Sequence, residues 1–265
     1  MKTNYVLCAA AAAALAVAGC SQNSSKKTQL TTELQASDTA GYPIPTAYEV
    51  TDLINRSGAA YIFDVTNPTS KVDAYLSESE KALNLGVYGA DLAYATTYNQ
   101  TQETMSYLKA LKQLVDELQV VTNLNAQLAQ RVEEHINENN KDSLIHIITC
   151  SFHETYSFLV DNGKDNTSIL VMSGMWVEAL YLLAYVTTTS ANPEDLMPVV
   201  AAQKQPLDKL MAIIEKNTSS DDIAQLQTQL QPIVDEFATV GKDITFAQAK
   251  QIFSVAEKVR AGIIK

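Results

Sequence analysis

Residues 169–186 read ILVMSGMWVEALYLLAYV, and this stretch decides the fold. Every position is apolar apart from Ser173, Gly174, Glu178 and the hydroxyls of Tyr181 and Tyr185. A run of this length is too long for an ordinary strand. A helix that is apolar on all sides lies either in a membrane or at the centre of a core. The stretch falls short of the ~20 residues that cross a bilayer comfortably. A carboxylate at its middle is expensive in hydrocarbon. The reading that follows is a central helix, buried all round, with Glu178 needing a partner or a proton.

Outward from this helix the period stays helical. Ile223, Leu226, Leu230, Ile233, Phe237 and Val240 recur at spacings of three and four, as do Met105, Leu108, Leu111, Val115, Leu118 and Val121. Ile252, Ala256, Val259 and Ile263 continue the pattern. Each stripe is one apolar helix face. Breaks coincide with turn chemistry at Gly58, Asn67-Pro68, Asn139-Asn140, Asn162-Gly163, Asn192-Pro193, 217–220 and Gly241. Ser220-Asp221-Asp222 and Asn192-Pro193-Glu194-Asp195 look like capped helix starts. Pro206 and Pro232 fall inside periodic stretches and should kink or split them. Tyr61–Val65 is the one run that could be extended, and it has no evident partner strand. The expectation is an all-α bundle of about eight or nine helices.

An internal echo accompanies the pattern. Leu85–Thr97 holds Gly86, Asp91 and Tyr94 before a Thr-Thr pair, and Ser173–Thr188 holds Gly174, Glu178 and Tyr185 before another. The offset between the two blocks drifts from about 88 to 91 residues. Two readings stay open, namely two related helical halves or a composition shared by buried helices. No shorter period recurs often enough for a solenoid.

The other end of the chain speaks to location. Lys2 is followed by an apolar run through Ala18, and then Val17-Ala18-Gly19-Cys20. A charged start, a short apolar segment and small residues before a cut describe a secretory signal. These four residues resemble the lipobox of bacterial lipoproteins. The resemblance covers the leader only, residues 1–19. It implies removal of the leader, acylation of Cys20 and attachment to a lipid bilayer; stable anchoring needs more than one acyl chain. Ser21 after the cysteine, where an Asp would favour the inner membrane, implies an outer-membrane address facing the periplasm, with the cell surface as the alternative. Residues 20–45 are rich in Ser, Thr and Gln and read as a flexible tether holding the domain about 25–30 Å from its anchor. Residues 46–265 are then one helical domain.

Composition narrows the partners. Thirty acidic against 19 basic residues give a net charge of −11, with Lys26-Lys27 the only basic pair. Nucleic acid is excluded on electrostatic grounds. Of three cysteines, Cys8 lies in the leader and Cys20 takes the lipid, so Cys150 is left without an intramolecular disulfide partner.

Two constellations could carry chemistry. Asp91 and Glu178 are carboxylates on apolar helices, and with Tyr88, Tyr94, Trp176 and Tyr181 they form a candidate ligand-binding set. The alternative is that each carboxylate is satisfied separately within the core. His146, Cys150 and His153, at spacings of four and three, share a helix face and could form a soft-metal triad for a transition metal. That face could equally be solvated, and His135 sits on a charged face. Asp161–Asp165 resembles the start of a calcium loop, but Met172 stands where a bidentate Glu is required. Phosphate-loop, zinc-protease and serine-hydrolase motifs are absent from the sequence. No catalytic residue is assigned. The function expected is a membrane-anchored, non-enzymatic binding or assembly module with a protein or small-molecule partner and no resident cofactor. The alternative is a metal- or carboxylate-dependent enzyme or metal carrier.

Overall fold

The computed structural model describes residues 43–120, 122–138, 140–241 and 243–265. The leader, Cys20 and nearly all of the tether therefore lie outside the described residues. The described chain is all-helical, with no strand. It forms ten α-helices, one or two more than the sequence suggests. They are α1 (Ala47–Arg56), α2 (Glu78–Thr97), α3 (Thr101–Glu117), α4 (Asn123–Asn137), α5 (Lys141–Asp161), α6 (Asp165–Thr189), α7 (Met197–Ala202), α8 (Lys204–Glu215), α9 (Asp221–Ala238) and α10 (Phe246–Ile264).

The count differs because of local chemistry at the prolines. Pro206 sits in the first turn of α8, where its missing N–H is one the helix leaves unbonded anyway, and the break falls at Gln203. Pro232 does not split α9: it is exposed, so the carbonyl it cannot serve meets water. Asn192–Asp195 starts a 3₁₀ turn, not an α-helix. Tyr61–Val65 is also not a strand; it ends in a 3₁₀ turn at Phe63–Val65.

α6 is the centre. It is long and apolar enough to cross a membrane by length and composition, yet 94% of its apolar window is buried inside the protein. Its closest companion is α2. Thr167 on α6 donates to Glu78 on α2 at 3.4 Å, Gly174 lies against Leu83, Gly86 lies against Val171 and Met175, and Asp91 meets Glu178. Residue numbers rise together along both helices, so α2 and α6 run in parallel. Two glycines allow the close approach. A Cβ on Gly86 would stand 2.0 Å from the Val171 carbonyl oxygen, and one on Gly174 would stand 1.9 Å from that of Leu83. The helices therefore touch backbone to backbone.

The other helices wrap this pair. α1 covers both core helices, α3 lies on α2, and α10 lies on α6. α4 and α5 pair with each other, as do α8 and α9. α2 begins with a capping box, in which Ser77 accepts from the Glu80 amide and Glu80 accepts from that of Ser77. Thr245 and Gln248 repeat the device on α10. Near the end of α10, Asn84 donates to the Ile263 carbonyl at 3.0 Å and Tyr75 to that of Ile264 at 3.4 Å. Lys71 also reaches Ile264 at 3.3 Å. Carbonyls without helical partners are thus satisfied by side chains from the first third of the domain.

Candidate functional site

Asp91 and Glu178 converge. Both are fully buried, and the partner that joins them is Arg260 on α10. Arg260 Nε donates to Glu178 Oε2 at 2.6 Å, and its Nη2 donates to Oε1 at 2.8 Å, a bidentate pair. Nη2 also donates to the Val65 carbonyl at 3.1 Å. The guanidinium stacks on Tyr181, 4.2 Å from the ring centre, and Tyr181 in turn stacks on Phe253. Burial, the largest single influence, would loosen the guanidinium's proton, but Glu178, Asp91 and Tyr181 together outweigh it and hold the proton more firmly than usual.

Two carboxyls facing one guanidinium leave one charge too many. Asp91 resolves this. Burial first, and then the Glu178 carboxylate, push its pKa well above the usual aspartate range. Its Oδ2 accepts from the Asn67 amide at 3.1 Å, whereas Oδ1 meets no donor. The group facing Asp91 is Glu178, and a proton carried by Asp91 turns that contact into a hydrogen bond. One guanidinium beside two carboxyls thus favours a proton on Asp91, while Glu178 keeps the bidentate pair with Arg260.

Much of this polar machinery grips the protein's own chain. The segment 59–68 passes from the surface into the core without forming an α-helix, so its backbone groups need partners. Tyr98 donates to Ala59 O at 2.8 Å, and Tyr94 accepts from the Ile62 amide at 3.1 Å. Arg260 holds Val65, and Asp91 holds the Asn67 amide. Tyr107 donates to Asn67 O at 3.3 Å, and Tyr88 donates to Pro68 O at 3.0 Å. Asn67 is itself buried and donates through Nδ2 to Tyr75 at 2.9 Å. Of the candidate ligand-binding set, Asp91, Tyr88 and Tyr94 thus bind this segment, Glu178 and Tyr181 hold Arg260, and Trp176 packs in the core with Nε1 unbonded. Sequence reading missed Asn67, Tyr107 and Arg260. Asn67-Pro68 signalled a turn but not a buried one, and Arg260 looks like a surface residue of an amphipathic helix.

The second constellation is superficial. Cys150 Sγ lies 3.6 Å from Nε2 of His146, an exposed residue. His153 is half-buried one turn on, where burial lowers its pKa. No group of three His, Cys, Asp or Glu side chains converges among the described residues. His135 is half-buried, not exposed on a charged face, and pairs with Glu138 at 3.1 Å.

A sizeable cavity lies elsewhere, between α3 and α4. Its volume is about 370 Å³. Leu108, Leu111 and Val120 form its floor, Val115 and Leu128 its walls, and the Lys112–Asp116 ion pair lies at its mouth.

Comparison of the chain with protein-family models, with curated proteins and with solved structures found no match.

Proposed function

We propose that the protein is a lipid-anchored, non-enzymatic binding or assembly module of the bacterial cell envelope, tethered through Cys20 to the periplasmic face of the outer membrane. One observation carries the non-enzymatic part. The convergent ionisable groups Asp91, Glu178 and Arg260 are buried, Glu178 pairs with Arg260, and Arg260 and Asp91 hold segment 59–68 through Val65 and Asn67. Chemistry on a substrate needs groups that a substrate reaches, and these serve the fold. The lipobox of the leader supports the anchor, and the acidic surface favours protein or neutral partners over nucleic acid.

The test uses the full chain in its own host. Fed labelled palmitate, cells should label the wild-type protein and not a Cys20→Ser variant. Cross-linking in the intact envelope should trap a specific partner, and metal analysis should find no stoichiometric ion. Palmitate labelling that survives in Cys20→Ser defeats the anchor. A stoichiometric metal would favour the second reading, a metal carrier. That reading is supported by the His146–Cys150 spacing, since an ion at ordinary zinc bond lengths separates S and N by about 3.6 Å at a tetrahedral angle.

We also infer that the domain grew from two related helical halves. The parallel course of α2 and α6 supports this, because Gly86 lies near Gly174's turn and Asp91 meets Glu178, partners close to the offset at which the sequence echoes.

A further inference from the structure

We propose that the cavity between α3 and α4 binds a single aliphatic chain of a free lipid or fatty acid. This inference deepens the binding-module reading and rests on it. The cavity opens to solvent past Lys112, Asp116 and Ala129, and at about 370 Å³ it reaches the size of a small-ligand pocket, which runs from ~300 Å³ upward. Its deep part is hydrocarbon, with Thr122 and Gln130 joining the charged pair in the rest of the lining, and an apolar surface of this kind takes up apolar guests.

The lining selects the guest. Leu108, Leu111, Val115, Val120 and Leu128 are branched aliphatics, and among the described residues no aromatic ring lines the cavity. A flat aromatic ligand would find nothing to stack on, whereas a flexible chain can follow branched walls. At the mouth Lys112 and Asp116 already neutralise each other at 2.7 Å, so neither sign of headgroup is attracted. Binding should come from the hydrocarbon and be insensitive to salt.

The experiment feeds a decanoic acid carrying a diazirine and an alkyne to cells making the full chain, followed by irradiation and peptide mass spectrometry. Cross-links should concentrate on the peptides bearing Leu111, Val115 and Leu128, and excess decanol should compete them away. Ala129 is exposed at the rim, so Ala129→Phe should block entry without disturbing the fold and reduce labelling at least tenfold. Val115→Phe, which fills the void from the wall, should do the same at unchanged protein abundance. Labelling absent from the pocket, or undiminished in both variants, overturns the proposal. Labelling should be unchanged in Cys20→Ser; a rise would assign the cavity to the protein's own acyl group and overturn the free-lipid assignment. Failure of labelling while partner cross-links persist removes the pocket alone and leaves the binding-module reading standing.

Discussion

Arg260 holds both oxygens of Glu178 at 2.6 and 2.8 Å inside the core, across 82 residues of sequence. Breaking a buried ion pair from one side leaves an uncompensated charge. Arg260→Met should therefore lose about 3–5 kcal/mol in urea unfolding. Glu178→Met should also destabilise, and the double variant should recover a substantial part of the loss. Simple additivity of the two single changes would show that the pair is not coupled.

Asp91 sets the pH response. Its folded pKa lies above the ordinary value of about 3.9, so the folded state keeps a proton that the unfolded state releases. The sign follows: Asp91 lowers stability progressively as pH rises from about 4 towards its raised value, and its effect is constant above that. Asp91→Asn copies the protonated acid, accepting from Asn67 and donating to Glu178. The variant should match or exceed the wild type at pH 7 and lack this decline. A loss of several kcal/mol at pH 7 would mean that Asp91 is ionised in the fold.

Backbone contact between α2 and α6 makes Gly86 and Gly174 the least replaceable glycines described. Alanine at either would collide with a carbonyl of the facing helix, so thermal denaturation should show losses of about 3 kcal/mol or more. Gly262 on α10 faces open space, and Gly262→Ala should instead stabilise by up to about 1 kcal/mol through helix propensity. Equal effects at the three sites would refute the close crossing.

Segment 59–68 should loosen when one grip is removed. Tyr88→Phe keeps the ring but leaves the Pro68 carbonyl to the Lys71 amide alone, at a cost of about 0.5–1.5 kcal/mol. Phe63 is 62% exposed and offers a chymotrypsin site. Cleavage there should be faster in the variant than in the wild type, and unchanged cleavage would show that Tyr88 does not hold the segment.

The all-α class was legible because burial imposes a period, and 169–186 carried it plainly. The number of helices was not, since a proline's effect depends on which face it occupies, as Pro232 shows. Ser77-x-x-Glu80 and Thr245-x-x-Gln248 were readable capping boxes that the apolar stripes overshadowed. The two carboxylates stood out as misfits on apolar helices, so a shared polar site was an available reading. Its third member was hidden because Arg260 lies 82 residues from Glu178 on a helix whose other polar residues face water, and neither composition nor period marks which one turns inward. The tyrosines were visible as a surplus, but their real client, segment 59–68, had no signature beyond a turn.

The placing of Arg260 also orders events in time. A chain synthesised from its N-terminus presents Asp91, then Glu178, and only much later the guanidinium that pairs with Glu178. Val65 and Arg260 are 195 residues apart. Until α10 arrives, closing α2 onto α6 would bury Glu178 beside Asp91 without its counter-charge, and segment 59–68 would lack one of its anchors. Early helices can form, but the core cannot seal behind them. Folding should therefore finish in one late, slow closure dominated by distant contacts, and a chain stalled short of residue 260 should remain open and protease-sensitive throughout.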